Sequence, residues 1–204
     1  ENYNDKVLTA DLVINKAESV ITADATQTFT YDGTVKNVAA SLNHSETTLI
    51  YAPAQGYTAS GTYPVIISAE ETDNYLSVSK EVSLVIENAE IEGVTFESET
   101  FTYDGSSKDI SITGLPEGAT VKYENNGQTN AGTYKVTATI SQENYNDKVL
   151  TTDLVINKAE AVITAVAIQT FTYDGAVKDV AATLNHSETE LAYAPAQGYT
   201  ASGT

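Results

Sequence analysis

The chain has 204 residues, with 28 acidic side chains against 10 basic ones and a formal net charge of −18. It contains no Cys, which excludes a disulfide framework, a thiolate metal site and a Cys nucleophile. Nucleic acids and anionic membranes attract clustered Lys and Arg, so the acidic balance argues against both as partners. No run approaches the roughly 18 apolar residues of a membrane span, so we expect no membrane insertion within this segment.

The sequence repeats itself over most of its length. Residues 1–62 return at 143–204 with nine substitutions and no gap. Within that period the string Phe-Thr-Tyr-Asp-Gly occurs at 29–33, 101–105 and 171–175, which reduces the unit to about 71 residues. Such self-similarity is typical of a tandem array of small modules.

Two variants of the module alternate, and each opens on Ala-Glu. The pattern predicts four segments: residues 1–16 as the C-terminal strand of a preceding B-type repeat, 17–88 as an A-type repeat, 89–158 as a B-type repeat and 159–204 as the N-terminal part of a second A-type repeat. We call the last three repeat A1, repeat B and repeat A2. Targeting and anchoring elements are expected outside these residues.

Apolar residues within each repeat alternate with a period of two, which favours strands over helices. The predicted strands cover 35–42, 48–51, 63–68 and 80–86 in repeat A1, and 110–113, 121–123, 134–140 and 150–156 in repeat B. Gly, Pro and Asn turns bound these runs. Many short strands between such turns predict an all-β fold, a small antiparallel β-sandwich repeated along the chain.

Four strings carry a resemblance to a known family. Tyr-Asp-Gly at 103–105 is followed by Gly-Thr-Tyr-Lys-Val-Thr-Ala-Thr at 132–139, then by Asn-Tyr at 144–145 and Leu-Val-Ile-Asn-Lys-Ala at 154–159. Together they resemble the immunoglobulin-like tandem repeats, of MBG type, of bacterial cell-surface adhesins. The resemblance covers all copies and implies an immunoglobulin-like sandwich at the cell surface, with no catalytic residue or known ligand. A β-grasp-like surface repeat stays open as the alternative fold.

The connections between repeats lack Gly and Ser, since Ile-Glu-Asn-Ala-Glu at 86–90 and Ile-Asn-Lys-Ala-Glu at 156–160 lead directly from one module to the next. Short connections of this kind restrict bending between modules. The chain is therefore predicted to be a structural stalk or spacer of an extracellular adhesin or fibre, with neighbouring repeats of the same chain as partners. Two alternatives stay open: direct multivalent binding of a host glycan or matrix protein, and homo-association into filaments by strand exchange.

Tyr residues recur at fixed positions, and most of them are interpreted as packing residues whose hydroxyl reaches a backbone partner. Tyr57 and its copy Tyr199 differ because they occur only in the A-type repeat. They are the candidate ligand-binding surface aromatics.

His44 and its copy His186 are the only His residues. Ser45 and Glu46 stand beside His44, but neighbours in sequence do not make the geometry of a catalytic triad. We interpret the segment as a polar turn and predict no catalytic residue and no enzyme activity.

The acidic loops at 71–74 and 143–147 indicate bound calcium as an alternative. Calcium takes about six to eight oxygen ligands, and neither loop has the spacing of a calcium-binding hand. We therefore expect no metal site and no cofactor, with calcium left open. An isopeptide crosslink between Lys148 or Lys158 and Asn157 is a further alternative.

Overall fold

The computed structural model describes residues 2–54, 56–194 and 196–201. Every regular element in these three ranges is a β-strand, and no helix occurs among them. The predicted all-β fold class is confirmed, while the tandem rod stays a prediction. Residue 1 of the predicted segment 1–16 and residues 202–204 of the predicted segment 159–204 lie outside the described residues.

The strands are β1 (Ile21–Thr22), β2 (Thr26–Thr30), β3 (Ser41–Leu42), β4 (Ile50–Ala52), β5 (Gly61–Ala69), β6 (Val78–Glu87), β7 (Glu99–Thr102), β8 (Thr120–Glu124), β9 (Gly132–Ser141), β10 (Lys148–Asn157), β11 (Ile163–Ala165) and β12 (Ala182–Leu184).

Repeats A1 and B contain four-stranded sheets with the same topology. The strand order is β2-β6-β5-β4 in repeat A1 and β7-β10-β9-β8 in repeat B. In each sheet the edge strand, β2 or β7, pairs in parallel with the last strand of its repeat, β6 or β10. Phe29 lies opposite Ile86, and Phe101 lies opposite Ile156. The described pairs of β4 with β5, β5 with β6 and β8 with β9 are antiparallel. The sheets are therefore mixed, which a hydrophobic period of two cannot reveal, because strands of either direction show it.

Two-stranded antiparallel ribbons complete the A-type repeats. β1 pairs with β3 in repeat A1, and β11 pairs with β12 in repeat A2. The predicted strand over 35–42 is much shorter in the structure, because the Gln27 side chain occupies the place of a strand partner. Its amide donates to Ala39 O at 2.8 Å and accepts from Ala39 N–H at 2.9 Å. In repeat B, Asn126 does the same for the backbone of Ile110 at 2.8 and 3.0 Å.

The chain divides into two compact units. The first contains Glu1–Phe96, Ile112–Glu124 and Thr137–Thr151. Its larger core cluster joins the β1 ribbon to the four-stranded sheet and consists of Ile21, Val38, Val65, Ile67, Val82 and Leu84. A smaller cluster in the same unit consists of Ile91, Val94 and Ile140. Apolar side chains from alternate positions of β5 and β6 thus supply most of the larger core, as the period of two predicts.

The second compact unit contains Glu97–Ser111, Asn125–Val136 and Thr152–Thr204. Its buried apolar residues are Ile110, Val136, Leu154 and Ile156. The predicted repeat boundaries follow sequence similarity and not these contacts, and they stay a prediction.

Candidate functional site: the junction between repeats A1 and B

Repeat A1 passes into repeat B with almost no linker. β6 ends at Glu87, and Ala89 already forms a parallel bridge with Tyr145 of repeat B. Ala89 N–H donates to Asn144 O at 3.0 Å, and Asn146 N–H donates to Ala89 O at 2.8 Å. One residue, Asn88, therefore separates the last strand of repeat A1 from a residue that is paired inside repeat B.

Asn144 connects the two repeats a second time. It lies in the loop between β9 and β10, and its φ is 66°, a left-handed conformation that Asn tolerates better than most residues. Its Oδ1 accepts hydrogen bonds from Ser60 N–H at 2.8 Å and from Ser60 Oγ at 3.2 Å. Ser60 immediately precedes β5, so the side chain ties a loop of repeat A1 to a loop of repeat B.

An aromatic contact adds a third connection. Tyr31 and Tyr145 meet edge to face, with ring centroids 5.4 Å apart and ring planes at 76°, within the range that such pairs favour. Tyr31 N–H donates to Glu87 O at 2.9 Å, which holds Tyr31 against the end of β6. We call Tyr31, Ser60, Ala89, Asn144, Tyr145 and Asn146 the A1–B junction.

Tyr103, the counterpart of Tyr31, is held in the same way inside the second unit. Its N–H donates to Asn157 O at 2.8 Å, at the end of β10. Its hydroxyl donates to Glu188 Oε1 of repeat A2 at 2.6 Å. The hydrogen bond to the Glu188 carboxylate and the charge of that group raise the pKa of Tyr103. In repeats A1 and B, the Tyr of the Tyr-Asp-Gly motif thus contacts a residue of the following repeat.

The Asp of each Tyr-Asp-Gly motif closes a turn with the Lys four residues later. Lys36, Lys108 and Lys178 each lie 2.6 Å from that carboxylate. The hydrogen bond from the Lys is the main cause that lowers the pKa of Asp104 and Asp174, and of Asp32. The motif therefore keeps a charged, ordered turn beside the residue that reaches the next repeat.

His44 has a structural environment and not that of a general base. Its ring stacks on Tyr75 with centroids 3.7 Å apart. Ser19 Oγ donates to Leu76 O at 2.5 Å and lies 3.0 Å from His44 Nε2. Because the Ser19 proton is used on Leu76, His44 Nε2 must donate to Ser19 Oγ, and its Nδ1 accepts from Glu46 N–H at 3.3 Å. A hydroxyl that accepts from the imidazole is not activated as a nucleophile.

The two predicted surface aromatics have different environments and lie in different compact units. Tyr57 is partly buried, packs against the core cluster of repeat A1 and stacks on Tyr63, with centroids 4.1 Å apart. Tyr199 is 47% exposed. Each forms an antiparallel bridge with a Lys, Tyr57 with Lys36 and Tyr199 with Lys178. Their role in ligand binding stays a prediction.

The acidic loops are largely engaged in hydrogen bonds. Glu71 pairs with Lys16 at 2.5 Å, while Asn144 and Asn146 bond to residues at or beside the junction. No group of three or more acidic or His side chains is placed to hold a metal ion in the part of the chain that the structure describes. Lys148, a candidate for a crosslink, donates to Ile91 O at 2.6 Å. The expectation of no metal site and no cofactor, with calcium left open, stays a prediction.

One family model matches a segment of the chain. Residues 93–160, about a third of the chain, match the model of the MBG domain, which is found in bacterial surface proteins. The predicted MBG resemblance is confirmed by this match. The MBG domain is a non-enzymatic family. No curated protein matches the chain.

Three solved structures are also similar. Human protocadherin-24 EC1-2 is 12% identical over 71% of this chain and 100% of that one, with a TM-score of 0.32. Drosophila N-cadherin EC1-3 is 10% identical over 71% and 69%, with a TM-score of 0.24, and N-cadherin EC1-4 is 10% identical over 69% and 50%, with a TM-score of 0.21. At these TM-scores the likeness carries no argument about function.

A search of the described residues for a helix long and apolar enough to cross a membrane finds none.

Proposed function

We propose that this chain is a spacer segment of the stalk of a bacterial surface adhesin or extracellular fibre. The observation that carries the proposal is the A1–B junction, in which Ala89 is paired with repeat B two residues after β6 ends. A spacer must resist bending between its modules, and a connection of one unpaired residue leaves little freedom for that motion. The MBG match supports the extracellular setting.

Two contacts of the junction cross between the repeats and oppose bending, and the backbone bonds of Ala89 fix the first residue of repeat B beside them. A hinge motion between the repeats would break the bonds from Ser60 to Asn144 and the contact of Tyr31 with Tyr145. Inter-domain motion is the usual behaviour of tandem domains unless such an interface opposes it. Substitutions of junction residues therefore test the spacer function directly.

Pulsed electron paramagnetic resonance on the full chain tests the proposal. The chain has no Cys, so spin labels on Thr48→Cys in repeat A1 and Lys122→Cys in repeat B report one distance within the first compact unit. We expect a single narrow distance distribution that Asn144→Ala broadens. Asn37→Ala removes an exposed Asn away from the junction and is the matched control, expected to leave the distribution unchanged. A broad distribution of the distance between the labels in the chain with an unaltered junction would overturn the proposal.

Direct binding of a glycan or matrix protein by the repeats remains a second candidate, supported by the exposure of Tyr199. Tyr199→Ala should abolish binding to an immobilised glycan array if this candidate is correct. Tyr57 is unsuited to this test, because its ring packs against the core and its removal would destabilise repeat A1. A pure spacer gives no array signal with or without Tyr199.

A further inference from the structure

One loop of repeat B is held in place by the side-chain amide of Asn126. The loop follows β8, and the amide pairs with the backbone of Ile110: Nδ2 donates to Ile110 O at 2.8 Å, and Oδ1 accepts from Ile110 N–H at 3.0 Å. The Ile110 side chain is 2% exposed. The amide therefore takes the place of a strand partner directly beside a core residue.

The neighbours of Asn126 hold the same loop. Asn125 has a φ of 61°, and its Nδ2 donates to Lys135 O at 3.0 Å. Gln128 Nε2 donates to Asn125 O at 3.2 Å and to Asn125 Oδ1 at 3.0 Å. Gln128 also exchanges two backbone hydrogen bonds with Lys108, at 2.8 and 3.1 Å. The folded loop thus leaves the Asn126 side chain little freedom.

The residue that follows makes Asn126 chemically labile. Asn126 is the only Asn in the printed sequence that precedes a Gly. Asn is among the thermolabile residue types, and Gly127 has no side chain to shield its backbone nitrogen or to restrict its conformation. In the folded loop the two bonds to Ile110 hold the amide, so an attack by Gly127 N on the side chain requires the loop to open first.

We propose that Asn126 is a site of spontaneous deamidation, and that its pairing with Ile110 limits the reaction to molecules in which this loop has opened. Gly127 N forms a bond to Asn126 Cγ, the Cγ–Nδ2 bond breaks, and the side-chain nitrogen leaves as ammonia with the proton of the Gly127 amide. The product is a cyclic imide. Water then opens the ring and returns a proton to Gly127 N. Opening at Cγ gives aspartate, and opening at the Asn126 backbone carbonyl gives isoaspartate.

Either product weakens the pairing of the loop. A carboxylate at position 126 still accepts from Ile110 N–H, but it has no proton to donate to Ile110 O. Isoaspartate also lengthens the main chain by a methylene directly before Gly127, which disturbs the bonds between Gln128 and Lys108. The reaction does not reverse, so a loop that has opened and reacted does not regain its pairing. This modification belongs to repeat B and does not depend on the spacer function.

The A-type repeat uses a less reactive residue for the same pairing. In repeat A2, Gln197 Nε2 donates to Val180 O at 2.9 Å, and its Oε1 accepts from Val180 N–H. Gln197 also precedes a Gly, Gly198. Its side chain is longer by one methylene, so attack by the next backbone nitrogen would close a larger ring and is slower. The chain therefore contains an internal control for the reaction.

Peptide mapping by mass spectrometry tests the proposal on the full chain, incubated at mildly alkaline pH in native buffer and in urea. In urea, Asn126 should deamidate faster than every other Asn of the chain, while Gln197 stays unmodified over the same time. In native buffer the rate at Asn126 should be at least about tenfold lower, because the reaction then waits for local opening. Equal rates in the two solutions, or a faster reaction at another Asn in urea, would overturn the proposal.

Gln128→Ala tests the role of loop opening separately. It removes the two bonds from Gln128 Nε2 to Asn125 and leaves Asn126 and Gly127 unchanged. The native rate should therefore rise by about threefold or more, while the rate in urea stays the same. Thr129→Ala alters an exposed neighbour and should change neither rate. A native rate that Gln128→Ala does not raise would contradict control of the reaction by the loop.

Asn126→Asp reproduces the aspartate product and tests its consequence. Amide hydrogen exchange at Lys108 and Gln128, whose N–H groups donate to each other's carbonyls, should become at least about fivefold faster. Asn130→Asp adds the same charge at an exposed position before β9, and exchange at the two amides should stay close to that of the parent chain. Equal exchange in the two variants would show that deamidation does not loosen the loop, against the proposal.

Discussion

Ser19 shows how a single polar residue can be recruited for packing. It is 7% exposed, its hydroxyl donates to Leu76 O, and it accepts from His44. Repeat A2 has Ala161 at the corresponding position. The hydroxyl is therefore a feature of repeat A1 and not a requirement of the A-type sequence.

Replacing Ser19 by Ala should lower the free energy of unfolding by about 1–3 kcal/mol, because Leu76 O and the His44 ring each lose a hydrogen-bond partner in a part-buried site. Urea denaturation followed by circular dichroism measures the change. Ser45→Ala removes an exposed hydroxyl next to the same His and should stay within about 0.5 kcal/mol of the parent. If Ser19→Ala is equally neutral, the interpretation of His44 as a structural residue loses its main support.

The residues of the junction could be anticipated only in part. Asn-Tyr at 144–145 and Tyr-Asp-Gly at 31–33 are visible as recurring motifs. That Tyr31 meets Tyr145, and that Ser60 donates to Asn144, depends on how loops far apart in the sequence approach each other. A sequence pattern carries the spacing along the chain but not the distance across a junction, so the motif was recognisable and its partner was not.

At the scale of elements, the long strands were the predictable ones. The predicted runs 63–68, 80–86, 134–140 and 150–156 all fall inside observed strands. One face of each of these strands is buried and the other is more exposed, which produces a clear alternation in the sequence. The short elements were not predictable to the same degree. Gln27 and Asn126 satisfy backbone groups with side-chain amides, and an alternating pattern does not distinguish that arrangement from a strand ladder. The parallel pairing of β2 with β6 is hidden for the same reason.

β6 is the element on which repeat A1 depends most. It lies between β2 and β5 and carries Val82, Leu84 and Ile86, all buried. Leu84→Ala should lower the free energy of unfolding by about 2–5 kcal/mol, the range for truncating a buried Leu. Chemical denaturation of the full chain measures this, with Ser79→Ala on the exposed side of the same strand as the control. A loss below about 1 kcal/mol would show that the sheet closes around the missing side chain.

At the scale of the whole molecule, similarity between copies does not give them the same environment. Tyr31 and Tyr103 occupy the same position of the recurring Phe-Thr-Tyr-Asp-Gly string, yet the Tyr31 ring meets Tyr145 edge to face and the Tyr103 hydroxyl donates to Glu188. The difference lies in which residues the following repeat places beside each Tyr. The environment of a residue in a repeat array thus depends on its neighbours, which a single repeat sequence does not contain.

Neighbouring repeats should also share stability through the junction. In linear arrays the total stability is about the sum of the repeats and the interfaces between them. Asn144→Ala removes the acceptor of Ser60 N–H and places Ala at φ 66°, where an L-residue other than Asn or Gly costs about 1–2 kcal/mol. Asn144→Gly removes the same acceptor but tolerates the backbone conformation. The two variants therefore separate the side-chain bond from the strained backbone.

Amide hydrogen exchange on the full chain measures the effect at the residue concerned. Ser60 N–H donates to Asn144 and should lose protection in both variants, while Tyr57 N–H, which donates to Lys36 O within repeat A1, should keep its protection. Both variants should open the junction locally before either repeat unfolds, and Asn144→Ala should also lower the stability of repeat B more than Asn144→Gly does. Unchanged exchange at Ser60 in both variants would mean that Asn144 does not couple the repeats, and the stiffness of the array would then have to reside in Ala89 and the Tyr31–Tyr145 contact.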